Sequence, residues 1–235
     1  MKITCHMIMS VDGRLLPKYW SPLYNASSSA TEVYEAADAK LSADGWIVGR
    51  KTMAEYGADV VEEKEPMEGH KTMQTNTFIG KREGRPLAVV FDIQGRLHYK
   101  SPTLPSGEHI VAVLGSHVTR AYQKELEEIG VSYIMRTPGS KLEETQSALK
   151  HLEHDFNVKH MLLEGGAITC GNFLQMGLVD ELSMIVYPGL DGESDHPSVI
   201  ECQGVVEPLK KNRLELIDCE TIGSGYVWLR YNIHR

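Results

Sequence analysis

Short apolar or β-branched runs alternate with amphipathic stretches along this chain, the pattern of a sheet whose strands are joined by crossover helices. Strands are predicted at Ile3–Met9, Trp46–Val48, Leu87–Phe91, His109–Leu114, Ser132–Met135, Lys159–Leu163 and Glu181–Tyr187. Helices are predicted over Ala30–Leu41, Thr52–Tyr56, Val118–Ile129, Leu142–Phe156 and Thr169–Met176, with Ser116 and Ser140 as N-terminal caps. After Pro188 the texture changes. Leu214–Leu216 and Tyr226–Tyr231 read as strands on either side of "TIGSG", an antiparallel hairpin that closes the sheet. Residues 58–85 are polar, charged and aperiodic, which marks a long excursion between two sheet elements. The pattern predicts an α/β fold with a mixed central sheet flanked by helices.

Composition narrows the function. With 235 residues, 42 % of them hydrophobic, the chain can bury a sizeable core, and one domain over residues 1–235 is the simpler reading. Its net charge of −8 argues against a nucleic-acid partner, which would need clustered Lys and Arg, and favours a small ligand. No apolar stretch approaches the ~20 residues that cross a bilayer, so no membrane span is expected. "MKITCHMIMSVDG" reads as a first strand rather than a secretion signal, because Asp12 and Gly13 interrupt its apolar run. Cys5, Cys170, Cys202 and Cys219 form no C-x-x-C pair, so the default compartment is a reducing cytoplasm. His151 and His154 lie one helical turn apart but have no third ligand in view, and no metal site is expected.

Chemistry is suggested where strands end. In "LLEGGAITCGNF" an apolar run closes on Glu164, then Gly165 and Gly166, then Ala167 and a short helix. Helix N-termini at the carboxyl ends of strands offer unpaired N–H groups to anions, and glycines let a pyrophosphate approach the main chain. "WIVGRKT" has the same form, with Gly49, Arg50 and Thr52 after a strand. Two such bends suit a ligand with several phosphates, such as a dinucleotide, although each also reads as a plain strand-to-helix turn. In "VVFDIQGRL" the turn carries Arg96, which could grip the 2′-phosphate that distinguishes NADP from NAD, or simply be solvated. Asp12 in "MSVDGRL" is either a turn residue or a polar group over a reaction centre, and Asn25 could border a substrate pocket.

Taken in order, "MSVDGRL", "WIVGRKT", "RPLAVVFDIQGRL" and "LLEGGAITCGNFLQMGLVDELSMIVYPGLDG" resemble the reductase domain of the riboflavin-biosynthesis deaminase-reductase family. The resemblance spans nearly the whole chain and implies the dihydrofolate-reductase fold, a homodimer, and hydride transfer from NADPH, preferred over NADH, to a ribosylamino pyrimidine. It also implies roles. Gly49, Arg50, Thr52, Gly165, Gly166 and Ala167 would meet the cofactor phosphates, and Arg96 its adenosine end. Glu164 would face the substrate, with Asp12 on the loop lining the same cleft; Glu164 would orient substrate and Asp12 or a water would supply a proton. The zinc deaminase signature is absent, so deamination is not expected. Where those reductases carry an Asp-Asp-Pro stretch this chain reads "AEYGADVVEEKEP", and Ile93 stands where a serine commonly follows the Asp of "VVFD". Dihydrofolate or pterin reduction, and a nucleotide-binding sensor without turnover, therefore stay open as alternatives.

Overall fold

The computed structural model describes residues 1–25, 27–57, 60–69, 77–204 and 207–235. In chain order its elements are β1 (Lys2–Ser10), α1 (Ala30–Leu41), β2 (Gly45–Gly49), α2 (Arg50–Tyr56), β3 (Val60–Glu62), β4 (Leu87–Phe91), β5 (Leu97–Tyr99), β6 (His109–Leu114), α3 (Arg120–Ile129), β7 (Ser132–Met135), α4 (Lys141–Asp155), β8 (His160–Leu163), α5 (Ala167–Gln175), β9 (Glu181–Tyr187), α6 (Glu207–Lys210), β10 (Arg213–Ile222) and β11 (Tyr226–His234). Contacts divide the chain into two compact units. One consists of Met1 and Asp44–Lys159, the other of Lys2–Ala43 and His160–Arg235.

The first unit holds parallel strands in the order β2-β4-β6-β7. All six residues of β6 are buried, as expected for a parallel strand covered on both faces. Val48, Val90, Ala112 and Met135 from successive strands join Tyr122 and Leu126 of α3 in one core cluster. A separate antiparallel pair, β3 with β5, sets Glu62 opposite Leu97.

In the second unit the order is β10-β11-β9-β1-β8, with β1 parallel to both β8 and β9, and β11 antiparallel to β9 and β10. The expected mixture of mostly parallel strands with a C-terminal antiparallel hairpin is present. A bulge between Leu216 and Asp218 lets β10 run longer than its short apolar core suggested.

Helix starts follow local chemistry. α1 and α4 begin with capping boxes, Ser29 with Glu32 and Ser140 with Glu143, each side chain satisfying the other residue's orphan amide. The cap expected at Ser116 is corrected to Thr119, whose hydroxyl accepts from the Tyr122 amide at 3.3 Å. Ser116 cannot start the helix because residues 115–118 form a turn, closed by the Val118 amide donating to the Gly115 carbonyl. α2 and α5 each begin two residues earlier than predicted, directly on Gly49 and Gly166. Within the 58–85 excursion, β3 is a strand the pattern did not predict, and 58–59 and 70–76 lie outside the described residues. Among the described residues no helix is long and apolar enough to cross a membrane.

Candidate active site

In the unit containing β2 and β4, polar residues gather where those strands end. Gly49 is extended (φ −82°) and leads into α2 with no side-chain cap. Arg50, at the start of α2, pairs with the Glu62 carboxylate, and Arg96 reaches the same carboxylate at 3.2 Å. The Arg96 Nε also donates to the Glu63 carbonyl at 2.6 Å, so its guanidinium is held rather than freely solvated. Thr52 is half-buried on the same helix.

Asp92 anchors the loop that carries Arg96. It is fully buried, and one carboxylate oxygen accepts from the Arg96 amide at 2.6 Å and the Leu97 amide at 2.8 Å. Burial raises its pKa above the ordinary carboxylate value; the two amides and the nearby Arg50 charge oppose this. The turn needs a glycine at position 95. Gly95 has φ +65°, and a Cβ there would come within 2.9 Å of the Tyr122 ring.

In the unit containing β8, the strand ends at Leu163 and the chain passes through Glu164 and the cis Gly165–Gly166 bond into α5. Gly165 has φ +121°, a conformation L side chains rarely adopt, and a Cβ added there would meet Met7 of β1 at 3.6 Å. Gly166 caps α5 and, having no side chain, leaves the N-terminal end of this nine-residue helix without an N-cap side-chain hydrogen bond. This is a surface suited to an anion.

Glu164 is half-buried and close enough to Tyr34 of α1 for its charge to matter. Burial, then the Glu164 charge, hold the Tyr34 phenol neutral well beyond its ordinary range. The Tyr34 hydroxyl donates to the His6 carbonyl at 2.9 Å, and the two rings stack with centroids 4.3 Å apart. His6 is itself buried, its Nδ1 2.9 Å from the Ser183 hydroxyl, which also accepts from the Trp228 indole at 2.8 Å. Desolvation lowers His6 from 6.5 to about 4, so it is neutral at pH 7. Tyr34 beside Glu164, and the His6 ring stacked on it, escaped sequence reasoning. His6 sits within an apolar strand and Tyr34 within a polar helix, and neither carries a local motif.

Asp12 is exposed. One of its oxygens accepts from the Ser10 hydroxyl at 2.6 Å, and the other from the Gly192 amide at 2.8 Å. The Ser10 hydrogen bond first, then the Gly192 amide, lower its pKa to about 2. At neutral pH it is a carboxylate that ties the 10–14 turn to the 191–192 loop, a geometry that favours an anchor over a proton source. Asn25 is exposed in the bend before α1. Two concavities, of about 230 Å³ beside Trp228 and Lys40 and about 170 Å³ beside Tyr99 and Leu104, include none of these strand-end residues.

Solved structures share this dihydrofolate-reductase-like fold. A pyrimidine reductase-like protein from Corynebacterium diphtheriae superposes with a TM-score of 0.65 at 19 % identity, covering 100 % of this chain and 92 % of that one. RibD of Acinetobacter baumannii gives 0.65 at 20 % identity over 99 % of this chain and 58 % of that one. The chain belongs to the RibD C-terminal domain family, whose model matches residues 1–228. A curated relative from Archaeoglobus fulgidus, 2,5-diamino-6-ribosylamino-4(3H)-pyrimidinone 5′-phosphate reductase, is 26 % identical over 152 residues. That match covers 64 % of this chain and 65 % of the relative, a little under two thirds of the relative's length.

Proposed function

We propose that this chain is an NADPH-dependent reductase that transfers hydride to a ribosylamino pyrimidine of the riboflavin-pathway type. Membership of the family over nearly the full chain is the observation that carries the reading. Each unit by itself carries residues suited to phosphate: in one, α5 begins with no side-chain cap behind two glycines, and in the other Arg50 and Arg96 converge on the Glu62 carboxylate. When bound, the nicotinamide supplies the hydride, and the protein binds, orients and excludes water.

In this reading Gly165, Gly166 and Ala167 present main-chain amides to cofactor phosphate, as do Gly49 and Thr52, while Arg50 and Arg96 neutralise phosphate charge. Glu164, whose charge reaches the Tyr34 phenol, orients substrate hydroxyls or an amine. Asp12 positions the 191–192 loop, Asn25 borders the substrate, and water delivers the proton. The chain works as a single reductase module in the cytoplasm, where its four thiols stay reduced. A homodimer through the late strands accords with exposed Leu214, Leu216 and Ile217 on β10; sedimentation equilibrium returning a monomer mass would remove that part.

NADPH consumption, followed by its absorbance with ribosylamino pyrimidines, pterins and folates in turn, tests the whole. Turnover with the pyrimidines alone is the expected result. Turnover only with folates or pterins reassigns the substrate, and cofactor binding without turnover on any of them points to a sensor.

A further inference from the structure

We infer that Glu62 is a specificity-determining residue for the 2′ position of the nucleotide, weakening NADPH relative to NADH; the inference rests on the reductase reading above. Glu62 lies on β3, and its pairing with Leu97 of β5 delivers its carboxylate beside Arg96. The Glu63 amide donates to the Arg96 carbonyl at 2.9 Å, which locks the two segments in register. Arg50 pairs with the same Glu62 carboxylate. The side chains of Arg50, Arg96 and Glu62 are 21 %, 18 % and 26 % exposed, so all three can be reached by a ligand while remaining partly desolvated.

A 2′-phosphate carries roughly −1.5 to −2 charges at neutral pH and takes guanidinium N–H groups in pairs. Those are the groups that Glu62 holds. With Asp92 buried near Arg50, two carboxylates stand beside the two guanidiniums, so part of the positive charge that would meet a 2′-phosphate is already offset. A ribose 2′-hydroxyl is different: it donates a hydrogen bond to an acidic side chain, the usual mode of NAD recognition. Glu62 therefore opposes the phosphate and accepts the hydroxyl. The sequence shows Arg96 but not this competitor, which lies in the polar excursion.

The test is to titrate the full chain and Glu62→Gln with NADPH, NADH and adenosine 2′,5′-bisphosphate at one ionic strength. Removing the charge should tighten NADPH and the bisphosphate by about tenfold, leave NADH unchanged or weaker, and shift the NADPH-to-NADH affinity ratio by the same factor. Glu62→Asp, which keeps the charge, should stay near the wild-type ratio, and Glu62→Ala repeats the test if the amide disturbs β3. If wild-type protein binds both nucleotides and the ratio is unmoved in Glu62→Gln and Glu62→Ala, the role of Glu62 is wrong while the reductase reading stands. If neither nucleotide binds any of the proteins, the reductase reading falls and this inference falls with it.

Discussion

Ser183→Ala should destabilise the protein well beyond what the loss of one oxygen atom suggests. The Ser183 hydroxyl is the shared partner of two buried nitrogens, His6 Nδ1 at 2.9 Å and Trp228 Nε1 at 2.8 Å, and none of the three residues is more than 3 % exposed. The indole N–H can only donate, so the hydroxyl oxygen accepts from it; the hydroxyl proton is then available to a neutral imidazole. Deleting the hydroxyl strands both nitrogens, and each buried group left unsatisfied costs about 1–3 kcal/mol, or roughly 2–6 kcal/mol together. Against a total stability of about 5–15 kcal/mol, that is a large fraction. Urea unfolding followed by far-ultraviolet circular dichroism measures the loss directly. A cycle with Trp228→Phe separates the two nitrogens, since Phe has no N–H to satisfy. The cost of Ser183→Ala should then shrink by the indole's share, about 1 kcal/mol or more. A loss below about 0.5 kcal/mol, with strictly additive variants, would refute the shared-partner argument, because that is the size of an ordinary surface substitution.

Three further outcomes follow from the geometry. His6 and His109 are both lowered from 6.5 to about 4, chiefly by burial. A folded-state value below the unfolded one means that stability is complete above pH 6.5 and drains as pH falls toward 4, by roughly 3 kcal/mol for His6 alone; urea midpoints equal at pH 7 and pH 4.5 would contradict it. Gly165→Ala should cost about 1–3 kcal/mol through its φ of +121°, since Met7 leaves the added methyl room, and should weaken NADPH binding; wild-type melting and binding would show the bend to be dispensable. Glu164→Gln should lower turnover on the order of 10²-fold with cofactor affinity nearly intact, and steady-state kinetics with parallel NADPH titration would return Glu164 to a structural role if both fell equally.

Much of the fold was legible along the chain. β4, β6, β7, β9 and α1 occupy the residues the pattern predicts, because each is a run whose composition and capping act locally. The strand-end glycines at 49 and 165–166 were equally visible, since a turn into a helix has a local signature. Three-residue strands such as β3 have too few positions to show a period, and their pairing is settled by a distant partner.

The sequence by itself determined the α/β class and the order of most strands and helices, and it marked two glycine bends as candidates for phosphate. Only the tertiary structure decided what stands around the candidate residues: Glu62 on both guanidiniums, Asp12 turned to the 191–192 amides, and Tyr34, stacked on His6, within reach of the Glu164 charge. The physical reason is separation. His6 and Ser183 are 177 residues apart, yet their bond exists because β1 and β9 pair in one register, and a side chain's partner across a sheet leaves no trace in its own neighbourhood of the chain.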